Sequence, residues 1–218
     1  MTIIINKETR SYKIETITEL LGTVPKDPIA YGTYIGPKKP DTVIEDVVDE
    51  KEIDNIHEKE KGWTGFMSDD KGLFIYSYMV TGFLKNAGEV LARGDHGITV
   101  QKERGTKGNK TVEEEKLKGI RGKIDRYVFT SPRKLYFNRT EPDGVLERPI
   151  RIMLPTGPRV SVTKSDYMNP GLQLEFSLTL INNKEVTWDI IEGLFAYGEF
   201  AGLGQWRSGG HGRFVLVS

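Results

Sequence analysis

The sequence contains no cysteine, only three histidines and no long apolar run, and each absence narrows the range of functions. Without cysteine there is no disulfide framework, no thiolate nucleophile and no cysteine-ligated zinc site. No stretch approaches the roughly 18 apolar residues that a membrane-spanning helix needs. The apolar residues 3–5 form too short a run for a signal peptide. We therefore expect a cytoplasmic protein with no membrane segment.

Net charge is also absent, because 31 basic and 31 acidic residues cancel, and this excludes a generally basic, histone-like binder. The charges are unevenly distributed along the chain. Residues 41–60 contain nine acids and two lysines, residues 101–126 contain nine bases and five acids, and no acid follows Ala201. Such runs are usually solvated surface, yet a neutral protein can still present a basic face to a phosphate backbone.

Two helices and two strands are well marked by their patterns. Met79–Arg93 carries an apolar stripe at helical spacing, and Leu172–Ile181 alternates apolar and polar residues as a half-buried strand does. Thr187 is a suitable N-cap for a helix over Trp188–Phe200. The chain then passes through a glycine-rich loop into a final strand, Arg213–Val217.

Strand, helix and strand therefore occur in sequence twice, approximately at 11–21, 79–93 and 124–137, and again at 150–181, 188–200 and 213–217. This order predicts an α+β protein with a ferredoxin-like antiparallel sheet and helices on one face, either as one unit with insertions or duplicated. We expect one domain over residues 1–218. Residues 41–62 are predicted to form an acidic helical insertion. Residues 94–123 are predicted to be a flexible basic excursion with a short helix at Val112–Lys118.

The loop after the second helix carries the most functional information. Residues 202–212 contain five glycines, which allow positive φ and close approach of the backbone to a ligand. We expect exposed backbone N–H groups to bind phosphate, Arg207, His211 and Arg213 to add charge, and Trp206 to stack on a base. The order helix–loop–strand excludes a dinucleotide-binding G-x-G-x-x-G, and the G-x-x-x-x-G-K-[ST] phosphate loop is absent. The alternative is a purely structural turn.

The helix, basic glycine-rich loop and closing strand resemble those of the RAMP superfamily, the ferredoxin-like subunits of CRISPR effector complexes and related repeat-processing ribonucleases. Gly202, Gly204, Gly210 and Gly212 match the family's loop pattern, with Arg207 where the family often has arginine. The resemblance implies single-stranded RNA as the ligand and protein partners in a ribonucleoprotein. The chain also resembles uncharacterised proteins of phages and prophages of Gram-positive bacteria.

We therefore expect a nucleic-acid-binding protein, with no cofactor and no metal site. The predicted contacts are Gly202, Gly204, Trp206, Arg207, Gly210, His211, Gly212 and Arg213 in the loop, and Lys107, Lys110 and Arg121 in the basic stretch. Two alternatives are open. The first is a metal-independent RAMP-type endoribonuclease that uses His211 or His96. The second is a phage-encoded protein that binds a host defence protein. RNA or DNA as the ligand, and assembly into a homo-oligomer, are left open.

Overall fold

The computed structural model describes residues 5–27, 62–94, 97–106, 109–154 and 157–217. Two short 3-10 helices, Tyr197–Glu199 and Arg207–Gly209, follow the last α-helix. The strands and α-helices within the described ranges are, in chain order, β1 (Lys7–Thr16), β2 (Leu20–Leu21), β3 (Val24–Pro25), β4 (Trp63–Gly65), β5 (Met67–Asp69), β6 (Gly72–Tyr76), α1 (Tyr78–Arg93), β7 (Thr99–Thr106), β8 (Asn109–Lys116), α2 (Ile120–Tyr127), β9 (Val128–Ser131), β10 (Lys134–Tyr136), β11 (Gly144–Leu154), β12 (Gly157–Met168), β13 (Gln173–Ile181), α3 (Trp188–Ala196) and β14 (Phe214–Leu216).

Six of these elements, β1, α1, β9, β13, α3 and β14, form a ferredoxin-like unit. Their strands make one sheet in the order β14–β1–β13–β9, and every neighbouring pair is antiparallel. Numbered within the unit, this is the 4-1-3-2 order of a βαββαβ motif. The predicted α+β, ferredoxin-like fold class is confirmed. The two strand–helix–strand passages of the sequence are the two halves of this one unit, so they require no duplication.

The sheet buries one face against the helices. Along β13, Leu174, Phe176, Leu178 and Leu180 are buried, and the residues between them point to the other face, which confirms the predicted alternation. Aromatic rings join the layers, as where Phe83 of α1 meets Phe214 of β14 with ring centroids 4.8 Å apart. The opposite face carries paired hydroxyls across β1 and β13, including Thr9–Thr179 at 2.8 Å.

Both predicted helices of the unit are present. The buried residues of α1 include Val80, Phe83, Leu84 and Ala87, which belong to the predicted apolar stripe. Helix α3 begins at the predicted cap, where the Ile190 N–H donates to Thr187 Oγ1 at 3.4 Å. It ends at Ala196 instead of Phe200, because the chain tightens into a 3-10 turn. Among the described helices, none has the length and apolar composition needed to cross a membrane.

The basic stretch 94–123 differs from its prediction. Thr99–Thr106 and Asn109–Lys116 pair as an antiparallel hairpin, and α2 follows. The short helix predicted at Val112–Lys118 is therefore wrong, since most of it lies in strand β8. The hairpin places Lys102 opposite Glu113 in the register. Oppositely charged cross-strand neighbours favour such a ribbon without an apolar face.

Two further insertions surround the glycine-rich loop. Between β9 and β13, the long hairpin β11–β12 pairs from Gly144↔Tyr167 to Leu154↔Gly157. The second insertion follows β1 and contains the short strands β2 and β3, residues 28–61 and β4. Strand β4 pairs antiparallel with β3 and parallel with β12. The predicted acidic helical insertion at 41–62, with His57, lies almost wholly outside the described residues. Its helix and the single-domain boundary stay predictions.

Candidate functional site

The glycine-rich loop connects the end of α3 to β14 and is held by its own backbone. The Leu203 N–H donates to the Gly212 carbonyl at 2.8 Å, and the Gly212 N–H donates to the Glu19 carbonyl at 2.7 Å. The Arg213 N–H donates to Thr18 Oγ1 at 2.9 Å. These N–H groups are therefore occupied by the protein itself. The expectation that the glycine backbone is free for phosphate is wrong at these positions.

The glycines that match the family pattern serve close packing. A Cβ at Gly202 would lie 2.0 Å from the carbonyl carbon of Gly212, and both residues are buried. Gly204 has φ +78°, and a Cβ there would lie 2.8 Å from the Leu21 carbonyl oxygen. Only glycine fits positions where two backbones come this close. Gly202 and Gly212 thus pack closely against each other, and their contact with a ligand stays a prediction.

Trp206 is the most exposed aromatic side chain of the loop. It has a left-handed backbone, with φ +53°, and its side chain remains 44% exposed. The ring stacks on His211, with centroids 4.9 Å apart and planes inclined by 26°. A Cβ at Gly209 would lie 2.6 Å from a ring atom, so the ring rests against this glycine. His211 and Gly209 thereby hold the ring in place at the surface.

Arg148 joins the loop from strand β11. Its guanidinium carbon lies 4.6 Å from the centroid of the Trp206 ring, within the range of a cation–π contact. Nε donates to Thr163 Oγ1 at 3.3 Å, whereas Nη1 is buried without a hydrogen-bond partner. Burial lowers the pKa of this guanidinium from its usual value. Nothing local in the sequence indicates this contact, because β11 lies far upstream of the loop.

The cations of the loop lack carboxylate partners. Across the described ranges, no ion pair neutralises Arg148, Arg207 or Arg213, and Arg213 Nε is also buried without a partner. The nearest acid is Glu19, whose Oε2 lies 3.6 Å from His211 Nδ1. In contrast, carboxylates pair with Arg10, Lys13, Lys26, Lys85, Arg93, Arg121, Lys123, Lys134, Arg139 and Lys164. Within the described residues, Arg148, Arg207 and Arg213 are thus cations without a paired carboxylate. We call Arg148, Trp206, Arg207, His211 and Arg213 the loop surface.

Gln205 anchors this surface to the strands beneath it. Its Oε1 accepts hydrogen bonds from Thr64 Oγ1 at 3.0 Å and from Ser165 Oγ at 2.9 Å. Next to Ser165, the buried Asp166 accepts from Trp63 Nε1 at 2.7 Å and pairs with Lys26 Nζ at 2.9 Å. Hydrogen bonds among these buried and partly buried polar groups favour one geometry. The parallel strands β4 and β12 therefore hold the loop in position.

No described contact joins the other predicted residues to the loop. Lys107 and the catalytic candidate His96 lie outside the described residues. Lys110 lies on β8, opposite Gly105 in the register. Arg121 lies on α2, where its Nη1 is 3.3 Å from Glu89 Oε2 of α1. The described contacts of Arg121 therefore connect it to α1, and its role in binding stays a prediction.

The remaining candidate for catalysis, His211, has structural surroundings, and so does the acidic side chain of Asp69. His211 has a side chain only 15% exposed and packed on Trp206, as expected for a residue that supports the loop. Asp69, in the turn between β5 and β6, accepts hydrogen bonds from Lys134 Nζ at 2.6 Å and the Tyr136 hydroxyl at 2.8 Å. Nowhere in the described chain do three or more acidic or histidine side chains gather in a group that could hold a metal ion.

Comparison with known proteins gives little further information. No family model matches the chain, and no curated protein matches it. Among solved structures, it is similar to a chain from the cryo-EM structure of the Type III-B Cmr-beta bound to cognate target RNA, with a TM-score of 0.47 and 12% identity. That similarity covers 97% of this chain and 59% of the other chain. The ferredoxin-like assignment above follows from the strand order alone.

Proposed function

We propose that this protein binds single-stranded nucleic acid, with RNA as the preferred ligand, at the loop surface. The observation that carries the proposal is that Arg148, Arg207 and Arg213, which share the loop surface with the half-exposed Trp206, have no carboxylate partner among the described residues. Arginine and an exposed aromatic ring are typical of sites that bind single-stranded nucleic acid. The cations pair with phosphates, and unpaired bases stack on the ring. A duplex offers no free base face to such a ring.

The arginines are the proposed phosphate contacts. Arg207 is exposed, and Arg148 and Arg213 each hold one guanidinium nitrogen in the protein without a hydrogen-bond partner. An unpaired buried polar group costs about 1–3 kcal/mol, more if it is charged. An anion on the open side of either guanidinium would compensate its charge.

We infer that the glycines also shape the loop, in addition to the ligand contacts that the sequence predicts for them. They close the loop by packing and hydrogen bonding, and Gln205 attaches it to β4 and β12. The loop surface is therefore preorganised, so the ligand does not bear the entropic cost of ordering it. In this mechanism side chains make the contacts, and the backbone holds them in place.

Fluorescence anisotropy with a labelled oligouridine of roughly 30 nucleotides, long enough for several contacts, tests the proposal. The test variant is Arg148→Ala/Arg207→Ala, and Arg126→Ala, an exposed arginine on α2, is the matched control. Hydrogen bonds to charged groups are worth about 1.5–3 kcal/mol, so the double variant should bind at least about tenfold more weakly. Wild-type affinity should also fall steeply between about 50 and 200 mM salt.

Equal affinity in the double variant and the control would contradict the proposal, as would wild-type binding that does not respond to salt. Arg148→Ala alone should lower the slope of log affinity against log salt by about 0.7, the value for one phosphate on a single strand. Thermal melting checks that every variant folds, because Arg148→Ala also removes the hydrogen bond to Thr163 and the contact with Trp206.

Membership of the RAMP superfamily, assembly into a ribonucleoprotein and a phage origin stay predictions from the resemblance. The same holds for cleavage of RNA and for binding of a host defence protein. Incubation of the bound oligouridine with EDTA present distinguishes cleavage from binding alone. Loss of full-length RNA that Arg148→Ala/Arg207→Ala abolishes would extend the proposal to a ribonuclease.

A further inference from the structure

A second aromatic surface lies where β6 ends and α1 begins. The rings of Tyr76 and Tyr78 stack with centroids 5.7 Å apart and planes inclined by 21°. The guanidinium carbon of Arg133 lies 5.6 Å from the Tyr76 ring centroid. We call these three residues the Tyr78 surface. They belong to neither the core nor the loop surface.

The Tyr78 surface is open to solvent and carries free positive charge. Tyr78 is 68% exposed, and Arg133 is exposed as well. Of the carboxylates that the structure describes, none pairs with Arg133. The nearby Lys134 is instead neutralised by Asp69, at 2.6 Å. A single exposed aromatic side chain needs no explanation. A stacked pair with an unneutralised guanidinium against it is a more specific arrangement.

The backbone fixes this arrangement before any ligand arrives. Tyr76 is paired with Lys134 in the β6–β10 ladder, and the Ser77 N–H donates to the Arg133 carbonyl at 2.9 Å. Tyr78 is the first residue of α1. Strand β6 thus carries Tyr76, helix α1 carries Tyr78, and the bend before β10 carries Arg133. A rigid aromatic pair offers stacking area at a low cost in conformational entropy.

We propose that the Tyr78 surface is a second contact site for single-stranded nucleic acid, separate from the loop surface. A base stacks on the exposed ring of Tyr78, and Arg133 contacts an adjoining phosphate. Cations interleaved with aromatic rings favour a nucleic-acid strand over an apolar protein surface. The contacts among Tyr76, Tyr78 and Arg133 define the site, and no described contact joins it to Trp206 or Arg148.

The test uses the same labelled oligouridine and the full-length protein, with Tyr78→Ala, Tyr78→Phe, Arg133→Ala and the control Arg126→Ala. Losing one stacked base should weaken binding by roughly 5- to 100-fold in Tyr78→Ala. Tyr78→Phe keeps the ring and should bind within about twofold of wild type. Arg133→Ala should lower the salt slope by about 0.7, whereas Arg126→Ala should not. Thermal melting checks that each variant folds.

The outcomes separate this proposal from the loop surface. Unchanged affinity in Tyr78→Ala, with a loss in Arg148→Ala/Arg207→Ala, overturns the second site and leaves the loop. A loss in Tyr78→Ala that Tyr78→Phe restores, with no effect of the loop variant, supports the second site and contradicts the loop. Absence of oligouridine binding by the wild type overturns both sites. A purified protein that binds the wild type and does not bind Tyr78→Ala would identify the Tyr78 surface as a protein interface instead.

Discussion

Single residues in the loop have roles that the glycine pattern does not reveal. The pattern correctly places a special backbone at 202–212, since Gly204, Gly210 and Gly212 all have positive φ. The same pattern fits a ligand-binding backbone and a closely packed one, because both need the missing Cβ. The contact of Gly202 with Gly212 supports close packing, and only the tertiary structure shows it.

The packing role predicts a loss of stability in Gly202→Ala. The added methyl group would lie 2.0 Å from a backbone atom, so the loop must shift. Overpacking of this kind costs about 1–3 kcal/mol in the free energy of unfolding, measured by urea denaturation. Gly82→Ala is the matched control, since its Cβ meets no atom within 4 Å. Because Gly82 lies inside helix α1, Gly82→Ala should raise the free energy of unfolding by up to about 1 kcal/mol. Equal stability of the two variants would contradict the packing role.

Arg148 shows what sequence patterns cannot supply. It lies on a strand far from the loop in the chain, and its contact with Trp206 depends on how β11, β12 and β4 assemble. Such long-range contacts leave no local periodicity or spacing. The arginines at 207 and 213, by contrast, could be predicted because they lie within the loop itself.

At the scale of elements, periodicity succeeds where an element has one buried face. Strand β13 and helix α1 were predictable because their apolar residues recur with periods of two and 3.6. The β7–β8 hairpin was not, because its strands pair with each other and with no other strand of the described residues. A two-stranded ribbon need not have an apolar stripe, so its lysines, glutamates and glycines suggested a flexible excursion.

The β5–β6 turn predicts a pH dependence of stability. Hydrogen bonds from Lys134 above all lower the pKa of Asp69 to about 2 from 3.8. Because the folded pKa is lowered, Asp69 stabilises the fold above about pH 4, and this contribution is lost as pH falls towards 2. In urea denaturation, Asp69→Asn should be less stable than wild type at neutral pH and should lose less stability between pH 4 and 2. Asp70→Asn, in the same turn but outside this cluster, should keep the wild-type profile. Parallel profiles for wild type and Asp69→Asn would contradict the assignment.

At the scale of the whole molecule, chain order was enough to predict the ferredoxin-like unit. The 4-1-3-2 strand order follows from two successive strand–helix–strand halves, once the strands pair antiparallel. The insertions were harder to predict from the sequence, because each one packs at the edge of the unit. The net charge of zero likewise gave no indication of the unpaired arginines in the loop surface. Among the described residues, they are recognised only when ion pairs are assigned to particular side chains.

The central claim is that the loop surface contacts single-stranded nucleic acid directly. The measurement that tests it most directly is photocrosslinking of the wild-type protein to an oligouridine containing 5-bromouridine, with the crosslinked peptides identified by mass spectrometry. We expect crosslinks in the peptide that contains Trp206 and His211, competed by unlabelled RNA and reduced in Arg148→Ala/Arg207→Ala. Crosslinks confined to other segments, or none at all, would contradict the claim.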